Sequence, residues 1–254
     1  MPIAAAESTV VAPAPPFREA TRELAGLLTA VEKRTLLWLA ARMPRAIHSD
    51  HLTLLALVAM LAAGGAYWWA AREAAALLVV NVCLALNWFG DSLDGTLARV
   101  RQCQRPRYGF YVDHVVDMFG TAALIGGMAL SGYMHPYVAL ALLVAYFMLS
   151  AEIYLATHSL GVFRMTFFHV GPTELRLLLA VGNLVLLVHP TAHIAGHAIP
   201  LFDLGGVVAV AGLLGTLVSS AIANTKTLYR AEPREETSNF KLRNALALAI
   251  SVQK

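Results

Sequence analysis

Apolar positions along this chain gather into runs too long and too continuous for surface helices. Six of them, at roughly 52–70, 74–94, 109–131, 136–156, 174–190 and 201–225, approach the ~20 residues that a helix needs to cross a bilayer. The pattern before them is different. Between about Phe17 and Met43, Leu24, Leu28, Val31, Trp38 and Leu39 mark an apolar stripe, while Arg18, Arg22, Lys33, Arg34 and Arg42 lie elsewhere. That segment is too charged to span. It predicts an amphipathic helix over 17–45 lying in the membrane interface, with Trp38 at headgroup depth and Pro44 as its stop. The Ala- and Pro-rich residues 1–16 read as a disordered leader. Residues 229–254 read as a polar cytoplasmic tail, closing on a short helix in LRNALALAI. The domain between them, 46–228, is the membrane domain.

Composition agrees with the pattern. Of 254 residues, 58% are hydrophobic and 14% charged, against about 25% charged in soluble domains, and the mean hydropathy is +0.62. The expected fold is therefore all-α: a polytopic membrane protein of six transmembrane helices behind an N-terminal interfacial helix. The net charge of +3 does not point to nucleic acid, because no basic and aromatic residues interleave. Cys83, in an apolar run, and Cys103, in a basic loop, are too few for a disulfide framework and lack the partners of a zinc site. No basic stretch followed by an apolar one opens the chain, so no cleaved signal peptide is expected.

Charge also orients the helices. Arg99, Arg101, Arg105 and Arg107 fall between the second and third runs, and Lys226, Arg230, Arg234, Lys241 and Arg243 follow the sixth. The joints at 132–136 and 191–200 carry no Lys or Arg; Arg72, beside Glu73, is the one discordant cation. Both termini are expected in the cytosol, in the inner membrane of a bacterium.

The chemistry is concentrated in NWFGDSLDGTLARVRQCQRPRYGFYVDHVVD, from Asn87 to Asp117. Read as helix, Asp91 and Asp94 stand at i and i+3, and Asp113 and Asp117 at i and i+4, so each pair shares a face. Two apolar helices joined by a short loop pack together, and their four carboxylates can converge. Four carboxylates near a low-dielectric core do not all stay ionised without cations. Oxygen-only ligands favour hard ions such as Mg²⁺ or Mn²⁺. Gly95, Ala98 and Gly109 leave room beside the acids for a ligand to approach the backbone, and Arg99 can pair with a phosphate. Such a set suits phosphoryl chemistry.

This stretch resembles the signature of the CDP-alcohol phosphotransferase family, D-x2-D-G-x2-A-R followed by G-x3-D-x3-D. Asp91, Asp94, Gly95, Ala98, Arg99, Gly109, Asp113 and Asp117 match every fixed position, with nine residues between Arg99 and Gly109. The resemblance implies a membrane enzyme of phospholipid synthesis. It would transfer a substituted phosphate from a CDP-linked donor to an alcohol acceptor, one of the two being a lipid, and release CMP. It also implies two divalent ions, Mg²⁺ or Mn²⁺, held by Asp91, Asp94, Asp113 and Asp117, with Asp117 as the base that deprotonates the acceptor. Asp94, Gly95, Ala98, Arg99 and Gly109 would bind the CDP moiety. In one arm of the family the donor is CDP-diacylglycerol; in the other it is CDP-choline or CDP-ethanolamine. The Asp113-His114 and Thr173-Glu174 pairs are similar to dipeptides of the second arm. Many bundles of this kind pair through later spans, so a homodimer is open to this chain, though the sequence does not fix its oligomeric state. Family members often carry a Pro-Asn-x-x-Thr-like sequence where the first run opens. Here Ser49, Asp50 and Thr53 occupy it and only the threonine matches.

Other polar residues within the runs are suspects by position. Asn87, one turn before Asp91, shares its face. His114 either assists proton transfer or packs in the bundle. Glu174 either faces the site from across the bundle or sits near a helix N-terminus that favours its charge. Glu152 and Arg176 are further charges in apolar surroundings, and Thr173 and either Ser49 or Asp50 are candidate helix caps. His135, His189, His193 and His197 lie on the outer side; His158 and His169 receive no role. A different class, a divalent-metal or proton-coupled transporter, also uses intramembrane carboxylates, but it needs a relay across the bundle that this sequence does not display.

Overall fold

The computed structural model describes residues 21–23, 29–164, 171–194 and 196–232. Seven helices lie among them: α1 (Thr29–Arg42), α2 (Ser49–Ala70), α3 (Ala76–Val100), α4 (Pro106–Leu130), α5 (Pro136–Leu160), α6 (Pro172–Leu186) and α7 (Leu201–Ala231). Four short strands complete the described chain. β1 (Thr21–Glu23) pairs in parallel with β2 (Val162–Arg164), and β3 (Thr191–Ile194) forms a hairpin with β4 (His197–Pro200). The fold is all-α, as the apolar runs predict.

Proline and glycine set several boundaries. Pro106, Pro136 and Pro172 each occupy the first turn of a helix, where the missing N–H costs nothing. Gly161 ends α5 in the left-handed region at φ 70°. The helices differ from the predicted runs mainly in length. α3 continues to Val100 rather than stopping at 94, because its last two turns pack against α1 and α2 rather than leaving the bundle. α5 and α7 also run longer, whereas α6 stops at Leu186 and the chain turns into the β3–β4 hairpin.

α2, α3, α5 and α7 are each long and apolar enough to cross a membrane. α4 has 25 residues but carries Arg107, Asp113 and Asp117, and α6 has 15 residues. At 1.5 Å per residue, α6 is about 22 Å long, short of a ~30 Å hydrocarbon core.

α2 is the packing centre, lying along both α3 and α4. Its buried face is built of small residues, Ala56, Ala59, Ala63, Gly64, Ala66 and Ala70, together with Leu52 and Tyr67. Where apolar side chains gain little by leaving lipid, close backbone approach between small residues carries helix association. A Cβ on Gly64 would strike the Ala123 carbonyl, and one on Gly127 would strike the Gly64 carbonyl. A buried polar chain then fixes α6. The Tyr67 hydroxyl donates to Asn183 Oδ1 at 2.7 Å, Asn183 Nδ2 donates to Asn81 Oδ1 at 2.8 Å, and Asn81 Nδ2 donates to the Ala180 carbonyl at 3.0 Å. α5 pairs with α7, where the Glu152 carboxylate accepts from Ser220 Oγ and from Asn224 Nδ2 at 2.7 Å.

The N-terminal segment corrects its prediction in part. Residues 21–23 are extended, which interrupts the single helix expected over 17–45, and α1 spans Thr29–Arg42. Its buried face is Leu36 and Ala40, set against Leu52, Leu93 and Leu97, while Val31 of the apolar stripe is exposed. Trp38 is exposed, with the Arg42 guanidinium 4.1 Å above its ring. Leu24 and Leu28, the leader 1–16 and the tail beyond 232 lie outside the described residues.

Candidate active site

The site is built where α3 and α4 leave and re-enter the bundle. The loop between them is held by cations. Arg101 donates to the carbonyls of Ile47 at 2.5 Å and of Met43 and Pro44, both at 2.9 Å, tying the loop to the α1–α2 link. Arg105 pairs with Asp50 and lies over the Tyr108 ring. These arginines are therefore engaged by the protein itself.

Above this clamp, one carboxylate oxygen from each of Asp91, Asp113 and Asp117 comes within 4.8 Å of the other two. All three side chains are half-buried. Three hard oxygen donors so placed, from two rigid helices, fit a divalent cation of the Mg²⁺ or Mn²⁺ kind.

Asp94 stands apart from that trio, which differs from a four-way convergence. Thr53 Oγ1, from α2, donates to Asp94 Oδ2 at 2.6 Å, and the Gly95 N–H donates to Oδ1 at 2.5 Å. Ser49 Oγ also donates to the Asp94 carbonyl at 2.8 Å. The cause lies one turn earlier. Gly90 lets α2 come so near that a Cβ there would sit 2.5 Å from the Leu52 carbonyl. That approach brings the Ser49–Thr53 turn onto Asp94. Ser49 is thus a tie to α3 and not a cap; His48 precedes the helix, and its N–H donates to His51 Nδ1 at 3.1 Å.

The small residues are where the sequence puts them. A Cβ on Gly109 would meet open space, and one on Gly95 would meet only the Arg99 guanidinium at 3.5 Å. Ala98 is half-buried, and Arg99 is exposed, with Nη2 donating to Thr96 Oγ1 at 3.1 Å. His114 is buried beside Asp113, its Nδ1 2.6 Å from the Phe110 carbonyl and 4.0 Å from Asp113 Oδ2, and its ring lies against those of Phe110 and Tyr154. Glu174 Oε2 accepts from the Gly171 N–H at 3.0 Å, at the start of its own helix.

Two residues gain a place that sequence reasoning did not give them. Arg176 reaches from α6 to the trio: Nη2 donates to Asp91 Oδ2 at 2.5 Å and Nε to Asn87 Oδ1 at 2.8 Å. Asn87 in turn donates to the Ala56 carbonyl at 3.1 Å, so the amide that Arg176 binds is itself fixed to α2. A charge one turn inside a helix that opens on Pro-Thr-Glu was the only signal. The other is Glu32 of α1. Its Oε1 accepts from Trp88 Nε1 at 2.8 Å, Ser92 Oγ at 3.3 Å and Thr173 Oγ1 at 2.7 Å, joining α1, α3 and α6. Thr173, a predicted cap, is spent on that bond. Nothing in the spacing of the sequence announced Glu32. Beside it runs a groove of about 350 Å³ lined largely by apolar residues, among them Leu84, Ala85, Leu177 and Ala180, with Arg176 on its wall.

The sequence profile of CDP-alcohol phosphatidyltransferase matches residues 47–218, more than half of the chain. The chain belongs to the CDP-alcohol phosphatidyltransferase family. A search among curated proteins finds no match. Members of the CDP-alcohol phosphatidyltransferase family are membrane transferases of phospholipid synthesis that act by phosphotransfer, use CDP-linked and alcohol substrates and depend on divalent metal. For a CDP-alcohol phosphatidyltransferase the acidic trio is the expected kind of centre, and the matched span holds every element from α2 to most of α7.

Proposed function

We propose that this protein transfers a substituted phosphate from a CDP-linked donor to an alcohol, releasing CMP, at the cluster formed by Asp91, Asp113 and Asp117. The observation that carries this reading is the mutual approach of those three carboxylates within 4.8 Å. Asp91, Asp113 and Asp117, with Asp94 beside them, would hold two Mg²⁺ or Mn²⁺ ions. Bound there, such ions draw charge from the bridging oxygen and make CMP a better leaving group.

The chain's own groups do the rest. Asp117 takes the proton of the acceptor hydroxyl as its oxygen bonds to phosphorus and the bond to the CMP oxygen breaks. Arg99 pairs with the donor phosphates, and Gly95, Ala98 and Gly109 give the CDP moiety room. Asp94, fixed by Thr53, holds its carboxylate in one orientation before substrate arrives. The apolar groove beside Arg176 supports a lipid as one of the two substrates, its chain along α3 and α6 and its phosphate end toward Asp91.

In this reading 46–228 is the catalytic membrane domain. α4 and α6 complete a six-helix bundle around the four long apolar helices, and the basic residues at 99–107 put the acids on the cytosolic side of a bacterial inner membrane. The Thr173-Glu174 pair lends little to a choice of donor, since both side chains are bound within the fold, Thr173 to Glu32 and Glu174 to the Gly171 N–H.

The test is CMP release by purified protein given Mg²⁺ or Mn²⁺ and a panel of CDP donors and alcohols. Release that requires metal and Asp117 is the expected result. Metal flux into vesicles with no CMP release would overturn the reading in favour of a transporter.

A further inference from the structure

Arg176 holds an unusual position for a cation. Its Nη2 lies 2.5 Å from Asp91 Oδ2, and Asp91 belongs to the trio proposed to take divalent ions. Both side chains are 18% exposed, so solvent screens the pair weakly. A guanidinium cannot shed its proton to escape a second cation. The same Asp91 oxygen therefore cannot serve Arg176 and a divalent ion at full strength together.

The attachment of Arg176 is asymmetric. Its Nε is bound to Asn87 Oδ1, a neutral partner fixed to the Ala56 carbonyl and buried in the bundle. Its Nη2 is bound to the acid. If Nη2 lets go, the Nε bond keeps the guanidinium at the rim of the site, next to the groove it lines. From there the group that leaves Asp91 can reach an anionic phosphate, for which a planar fork of donors is well suited.

We infer that Arg176 is a tethered counter-ion that competes with divalent metal for Asp91 and is released onto substrate phosphate, so that metal and nucleotide bind cooperatively. This rests on the reading of the aspartates as a metal centre. The exchange of Arg176 between carboxylate and phosphate lowers metal affinity in the empty enzyme and raises it when a phosphate takes the guanidinium away. By linkage, metal raises nucleotide affinity by the same factor.

The test measures Mn²⁺ binding to the purified full chain by electron paramagnetic resonance, with and without CDP, in the wild type, Arg176→Gln, Arg176→Lys and Asp91→Asn. In Arg176→Gln, Mn²⁺ alone should bind on the order of tenfold tighter, because a partly buried charge pair no longer has to be broken. The enhancement of Mn²⁺ affinity by CDP should shrink by a similar factor. Arg176→Lys should fall between the two, since its point charge cannot span both Asn87 and Asp91; it also carries the test should the glutamine variant fail to fold. Unchanged or weaker Mn²⁺ binding in both variants, with undiminished coupling to CDP, would overturn the inference while leaving the metal centre standing. Wild-type protein whose Mn²⁺ binding is indifferent to Asp91→Asn would overturn the metal centre and the inference with it.

Discussion

Thr53 Oγ1 and Asp94 Oδ2 lie 2.6 Å apart, joining α2 to the first half of the acidic signature on α3. The bond ties Asp94 to α2, while the oxygens of the other three acids lie within 4.8 Å of one another. Asp91, Asp113 and Asp117 face one another, whereas Asp94 is anchored from behind. A hydrogen bond to a charged group contributes about 1.5–3 kcal/mol, so Thr53→Val should lower kcat/KM roughly ten- to a hundredfold. Thr53→Ser should recover most of the loss. Steady-state CMP release measures both, and full activity in the valine variant would show that the anchor is dispensable.

Asp117 is assigned the proton-accepting role. Removing a general base lowers the rate by about 10²–10⁴. Asp117→Asn should therefore lose activity on that scale in kcat. Alcohols of lower pKa should lose less, because their hydroxyls need less help. An asparagine variant equally crippled toward all alcohols, with Mn²⁺ binding gone, would instead make Asp117 a ligand alone.

Metal removal offers an independent check. Chelation should abolish CMP release, and Mg²⁺ or Mn²⁺ should restore it. Because Tyr67, Asn81 and Asn183 hold the helices together through bonds that involve no acid of the trio, thermal stability should change far less than activity. Unfolding on chelation would give the ions a structural role.

Packing can be tested apart from chemistry. Gly127→Ala would drive a methyl into the Gly64 carbonyl, a backbone atom that cannot step aside. Overpacking of this kind costs about 1–3 kcal/mol. Gly126→Ala meets open space and should be neutral or gain up to about 1 kcal/mol from helix propensity. Thermal unfolding in detergent separates the two; equal melting would contradict the close α2–α4 contact.

The sequence by itself determined the long apolar helices and the family. Long apolar runs need no partner to be recognised, because length against bilayer thickness is a local property. The acidic signature is equally local: i, i+3 and i, i+4 spacing fixes which carboxylates share a helix face before any packing occurs. Tertiary structure alone decided which acids meet. Gly90 sets the α2–α3 distance, and that distance gives Asp94 to Thr53 rather than to the trio. The same holds for Arg176 and Glu32, 85 and 60 residues from their partners Asp91 and Ser92. No spacing along the chain encodes contacts made by the lateral packing of α6 and α1 on α3, so these two charges could be noticed or overlooked in the sequence but not placed.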